Sequence, residues 1–122
     1  MAYYCRLVIE KLLIFLSKTA EFIESLVSQS LGLPANFLKE FSGERVEPFK
    51  LLCYPTARSP EEIGAREHQD GNCITLVGQD ESGGYQVLND GKWVDVKPTK
   101  GALVINIGDI LQVILILIIT CT

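Results

Sequence analysis

The chain has 122 residues, enough for one domain, and 48% of them are hydrophobic, which argues against a disordered chain and allows a real core. Its net charge of −4, from 11 basic and 15 acidic residues, gives no electrostatic reason to expect nucleic acid or an anionic membrane as partner. The four cysteines, Cys5, Cys53, Cys73 and Cys121, form no C-x-x-C pair, so neither a zinc ribbon nor a redox dithiol is indicated, and they are expected to stay reduced as small apolar residues.

The first predicted element is a helix. Ile9, Leu12, Leu13, Leu16, Ala20, Ile23 and Val27 recur at three-and-four spacing, with Glu10, Lys11, Lys18, Glu21, Glu24, Ser25 and Ser28 mostly opposite. The apolar run at 12–16 is short and charge-flanked, with no small-residue cleavage site after it, so it does not read as a secretory leader. Gly32 and Pro34 are stop signals. A short second helix is expected to carry Phe37, Leu38 and Phe41 before Ser42 and Gly43 break it.

From Val46 the pattern changes to strands and turns. Phe49, Leu51 and Cys53 alternate with Lys50 and Leu52 in a strand closed by Pro55, and residues 55–64 read as a loop. Further strands are expected at 73–77, 85–88, 92–96 and 102–107, separated by Ser82–Gly84, by Asn89–Gly91 and by a turn over 98–101. The Asn-Asp-Gly run is a strong hairpin signal. Helices followed by several short strands give an α+β chain whose strands build a sandwich or barrel. The apolar stretch at 110–119 is ten residues long, against the roughly 20 needed to cross a bilayer as a helix, so no membrane span is expected there.

His68, Gln69 and Asp70 form the one local arrangement with an obvious chemical use. On an extended backbone, residues two apart face the same side, with α-carbons roughly 6–7 Å apart. An imidazole and a carboxylate can then close on one ion, as two-thirds of the two-His, one-carboxylate triad that holds non-haem iron(II). H-x-D by itself is a weak signal, and in an arbitrary chain it reads first as a solvated surface pair. Trp93 is expected to pack against the strands. Asp80, Glu81, Asp90 and Asp95 read as solvated turn or strand charges, and Gly83, Gly84, Gly91 and Gly101 as turn formers, since no phosphate-loop or dinucleotide fingerprint is present.

The surrounding sequence narrows the reading. Residues 64–112 carry, in order, H-x-D-G (68–71), I-T-L-V (74–77), Q-D (79–80), G-G-x-Q-V (83–87), D-G-K-W (90–93) and G-A-L-V-I-N-I-G-D (101–109). This concatenation resembles the core of the plant-type iron(II)/2-oxoglutarate-dependent dioxygenases, the isopenicillin N synthase-like family. Cys53, Tyr54 and Pro55 sit where that family has an N-Y-Y-P-like motif, and Leu52 stands in the place of its Asn. The resemblance implies a helical N-terminal segment (1–45) packed on a partial double-stranded β-helix, or jelly roll (46–112), with a hydrophobic tail at 113–122 outside the family pattern. It implies His68 and Asp70 as iron(II) ligands, completed by a second His further along. Tyr54 would contact 2-oxoglutarate, the co-substrate, whose far carboxylate the family holds with the Arg of an R-x-S motif. The family oxidises small molecules such as flavonoids, hormones and alkaloids, and a cytoplasmic location goes with it. Oligomeric state is not legible.

The resemblance stops after Gln112. His68 is the single histidine, and the distal His and the R-x-S motif are missing from the sequence. An incomplete active site is therefore expected: one ligand short, iron is poorly fixed, and without the Arg the co-substrate lacks its charge-assisted anchor. Missing last strands would leave unpaired edges. The uncharged, β-branched run 113–119 is an aggregation hazard that could pair with such an edge. Every valine codon opens with GT, as introns usually do, so translated intron is one hypothesis for the sequence from Val113. Two readings stand: a dioxygenase with an incomplete site in this chain, or a non-catalytic fragment or pseudoenzyme.

Overall fold

The helical periodicity of the N-terminal third becomes one helix, α1 (Ala2–Ser30), in the computed structural model, which describes residues 2–43, 48–59 and 61–121. At 1.5 Å per residue it is about 43 Å long. It stops as expected at Gly32, whose φ of 72° is a left-handed value that glycine adopts without strain. Leu33 N donates to Ser28 O at 3.0 Å and Gly32 N to Gln29 O at 3.0 Å, the paired bonds of a Schellman cap.

The turn through Pro34 returns the chain as α2 (Phe37–Ser42), which packs on the C-terminal end of α1. Ser28 and Leu38 are both fully buried there. The Ser28 hydroxyl donates to Glu24 O at 2.8 Å and accepts Leu38 N–H at 3.4 Å. Lys39 Nζ reaches Glu21 Oε1 at 3.0 Å across the same contact, an exposed pair worth at most about 1 kcal/mol. This corrects the expected face of α1. Glu24 and Ser28, placed on the polar side by periodicity, are its buried residues, while Leu12 and Leu13 remain exposed. The reason is steric: a helix of only six residues covers one end of α1, and a small Ser lets its backbone approach.

No strand forms at 49–53, where alternation predicted one, and Leu51 and Leu52 are exposed. An alternating run becomes a strand only with a partner for its hydrogen bonds, and the described residues supply none here. Val46, with the expected boundary at 45/46, lies outside the described residues, as does Pro60 of the predicted loop. The chain's two compact units divide between Gln69 and Asp70.

The second unit holds β1 (Ile74–Val77), β2 (Gln86–Asn89), β3 (Lys92–Asp95), β4 (Val104–Ile107) and α3 (Asp109–Cys121). β1 pairs antiparallel with β4, Thr75 opposite Asn106 and Leu76 opposite Ile105. β2 and β3 form a separate hairpin. Asp90 and Gly91 at its tip have φ of 49° and 73°, the two positive values of a type I′ turn. Val96 N to Tyr85 O, at 2.9 Å, extends the hairpin beyond its regular strands. Helices and small antiparallel sheets make the chain α+β as expected, but the described strands form two two-stranded sheets and no closed roll.

Trp93 lies opposite Leu88 on the hairpin and is 50% exposed. One expectation is corrected in this unit. The apolar tail pairs with no strand edge but is helical, as α3. In a helix the backbone bonds are internal, so no edge partner is needed, and three-and-four spacing buries Leu111 and Ile114 while leaving Ile110, Val113 and Leu117 exposed. Asp109 in the first turn complements the helix dipole. Among the described residues no helix is long and apolar enough to cross a membrane.

Candidate metal-binding site

His68 is the penultimate residue of the first unit and Asp70 opens the second. Both lie in irregular backbone. His68 is exposed, and its Nδ1 lies 2.8 Å from Arg66 O. A carbonyl can only accept, so Nδ1 carries the proton and, in the neutral ring, Nε2 carries the lone pair. That is the tautomer a metal-binding imidazole needs, with the far nitrogen fixed by a backbone carbonyl. Tyr54, also in the first unit, is 54% exposed, and one side of its ring passes close to Gly64. A Cβ on Gly64 would stand 2.7 Å from Tyr54 Cδ1, so a side chain there would displace the ring.

Asp70 is held far more closely. Its carbonyl accepts Asp109 N–H at 2.8 Å, and Gly108 N donates to Cys73 O at 2.9 Å, so the turn between β4 and α3 is bonded to the segment that leads into β1. Gly108 is buried in this contact. A Cβ on it would stand 2.0 Å from Asn72 O and 2.7 Å from Asp70 O, an approach of backbone to backbone that only glycine allows. Asn72 Nδ2 in turn donates to Thr75 Oγ1 at 3.1 Å, fastening the segment to β1.

The Asp70 side chain meets β4 as well. Asn106 Nδ2 lies 3.5 Å from Asp70 Oδ2 and 2.6 Å from Tyr85 Oη. Neither Asn106 nor Tyr85 was singled out from the sequence, where Tyr85 filled the variable position of G-G-x-Q-V. For Asn106 a signal existed: a polar residue interrupts the apolar strand V-I-N-I at a half-buried position. Asp80 behaves as the turn residue expected, its Oδ1 accepting Ser82 N–H at 2.9 Å. Asp95 accepts from Gln86 Nε2 at 2.7 Å on the exposed hairpin. A shallow cavity of about 220 Å³ opens by Val77, Gln79 and Val104, at the opposite end of the β1–β4 ladder from the Asp70 contacts.

A facial triad takes two imidazoles and one carboxylate. His68 and Asp70 fit two of those positions by residue type and spacing, and Nδ1 of His68 is bonded in the way a ligand imidazole requires. The chain has no second histidine. Among the described residues no group of three or more His, Cys, Asp or Glu side chains is placed to hold a metal ion.

Residues 46–116, more than half of the chain, match the model of the 2OG-Fe(II) oxygenase superfamily. Flavanone 3-dioxygenase 2 of Oryza sativa subsp. japonica is 47% identical over 88 residues, which cover 70% of this chain and 26% of that protein. The 1-aminocyclopropane-1-carboxylate oxidase homolog 5 of Arabidopsis thaliana is 44% identical over 95 residues, 77% of this chain and 24% of that one. Homolog 6 of the same plant is 37% identical over 113 residues, 90% of this chain and 31% of its own length. The chain thus spans about a quarter to a third of the length of these curated relatives.

Proposed function

The chain belongs to the 2OG-Fe(II) oxygenase superfamily, and from that premise we propose that it carries part of such an enzyme's metal site, the ligands His68 and Asp70, without the means to turn over on its own. Iron(II) would be held by His68 Nε2 and the Asp70 carboxylate, and when bound it supplies the activation of oxygen that decarboxylates 2-oxoglutarate. His68 presents the required nitrogen because Arg66 O holds the other. Asp70 is held at a fixed position by Gly108 and Asp109. Tyr54 contacts the co-substrate. The two small sheets are the first part of a jelly roll over residues 46–112, with helices before it and a non-family tail after. The complete enzyme oxidises a small plant metabolite, as the names of its relatives support, and works in the cytoplasm, a compartment that suits the exposed thiols of Cys5 and Cys53.

The observation that carries this reading is the donor count, one imidazole beside one carboxylate. A bidentate protein site leaves iron weakly held and poorly oriented, since even loss of an outer-shell partner costs about 10–100-fold in affinity or activity. Anaerobic titration of the purified chain with iron(II) tests it. Weak binding that His68→Ala and Asp70→Ala each abolish, with succinate release at background, is expected. Tight stoichiometric co-binding of iron(II) and 2-oxoglutarate with succinate release overturns the incompleteness, and binding indifferent to both substitutions overturns the site.

The same donor count favours a second reading, a non-catalytic fragment or pseudoenzyme, including a product of intron read-through after Gln112. Genomic sequence past the Gln112 codon decides that origin. A downstream exon encoding a second His ligand and R-x-S supports read-through, and its absence rejects it.

A further inference from the structure

We infer that α1 carries a coiled-coil seam through which two copies of this chain pair in parallel. The period of its exposed residues points there. Cys5, Val8, Leu12, Phe15, Thr19, Phe22 and Leu26 follow one another at alternating spacings of three and four, the a and d positions of a seven-residue repeat. The five large apolar side chains among them are 39–62% exposed, and Cys5 is exposed as well. The hydroxyl of Thr19 donates to Phe15 O at 2.8 Å, so burying this residue orphans no donor. Glu24 and Ser28, the buried residues of α1, fall at f and c on the far side of the helix. Ser28 is where α2 docks, so a second helix can lie along the seam without displacing α2.

The repeat itself says what covers it. Each a or d side chain is a knob that needs a hole of matching spacing, and a helix of the same period supplies one. A second copy has that period by identity. From Cys5 to Leu26 the seam runs about 32 Å along the helix. Its five large apolar side chains keep on the order of 400 Å² in water, about half of what each partner gives a standard interface. A weak pair with a micromolar dissociation constant is therefore expected. Charge sets the orientation. Lys11 and Lys18 hold g positions, and Leu16 and Ile23 hold e. In parallel register each lysine stem lies over Leu16 or Ile23 of the second copy with its ammonium in water. Antiparallel overlap would instead set Lys11 beside Lys18 of the second copy, a like-charge pair that disfavours it.

Sedimentation equilibrium of the full chain tests the pairing, in a Val113→Lys, Leu117→Lys background that removes association through α3. A monomer–dimer equilibrium is expected between about 5 and 200 µM. Phe15→Lys, at the middle of the seam, should weaken it roughly 30-fold. Ile14→Lys should leave it unchanged, because Ile14 is 58% exposed but sits at c, off the seam. A chain that stays monomeric overturns the inference, whatever covers the seam instead, and so does equal weakening by both lysines. Orientation is read at Cys5. With Cys53 and Cys121 replaced by Ser, oxidised glutathione, itself reduced to two thiols for each bond formed, should link two copies through their Cys5 sulfurs. Parallel helices bring identical a positions together, whereas antiparallel ones hold the two Cys5 about 32 Å apart, far beyond the roughly 4.4–6.8 Å between α-carbons that a disulfide spans. A dimer that does not crosslink overturns the parallel arrangement. Should Phe15→Lys lose its helical signal, the Cys5 crosslink decides, because it leaves every apolar residue of the seam in place.

Discussion

At Gly108 a hydrogen atom stands where any other residue would place a carbon 2.0 Å from Asn72 O. Backbone carbonyls of a bonded segment cannot retreat as the end of a flexible side chain can, so Gly108→Ala is expected to destabilise the second unit by roughly 3 kcal/mol, the upper range for overpacking. Urea unfolding followed by the fluorescence of Trp93 measures it. Gly71→Ala is the control: a Cβ there meets nothing within 4 Å, and little change is expected. A loss equal to that of Gly108→Ala would mean that the close approach is not what fixes Asp70. At this scale the sequence revealed residue types and little of their placement. His68 and Asp70 stood out by chemistry and spacing, and Tyr54 only through the family resemblance. The groups that hold Asp70 come from 36 to 39 positions away, and no local pattern connects them. Ser28 makes the same point in the first unit. Periodicity put it opposite the apolar stripe, yet its small size and its hydroxyl make it the place where α2 docks.

Elements whose geometry is fixed locally were the legible ones. The Asn-Asp-Gly turn requires positive φ at its two central residues, and the chain supplies them at Asp90 and Gly91. Gly91→Ala should therefore cost about 1 kcal/mol or slightly more, because the new side chain is strained where φ is positive. Amide hydrogen exchange across β2 and β3 would show it as faster exchange confined to the hairpin; unchanged protection would contradict the turn's role in setting the register. The Schellman stop at Gly32 was legible for the same reason. Elements that depend on a partner were not. Residues 49–53 alternate as a strand does, but nothing among the described residues pairs with them. The tail misled in the opposite direction. Its β-branched composition pointed to a strand, whereas the spacing of Leu111 and Ile114 satisfies a helix whose hydrogen bonds need no neighbour.

Across the whole molecule, fully buried apolar side chains are few. Among the described residues the core is Leu38 in the first unit and Cys73, Leu111 and Ile114 in the second. A 122-residue chain with so little interior is sensitive to loss of any one of them. Leu111→Ala, at a fully buried position, should cost about 2–5 kcal/mol, a large fraction of the roughly 5–15 kcal/mol that holds a typical domain together. The other side of α3 behaves differently. Val113 and Leu117 are 54% and 57% exposed, four residues apart and so on one face, and an apolar face open to water promotes association. Replacing both with Lys removes that face without touching Leu111 or Ile114. Light scattering of the Val113→Lys, Leu117→Lys variant should show less aggregation than the parent at equal concentration, with the helical signal retained. The two substitutions thus separate the faces of one helix. If the lysines unfold the chain as Leu111→Ala does, the exposed face is packed in solution, and α3 is an interior element of something larger than its own compact unit.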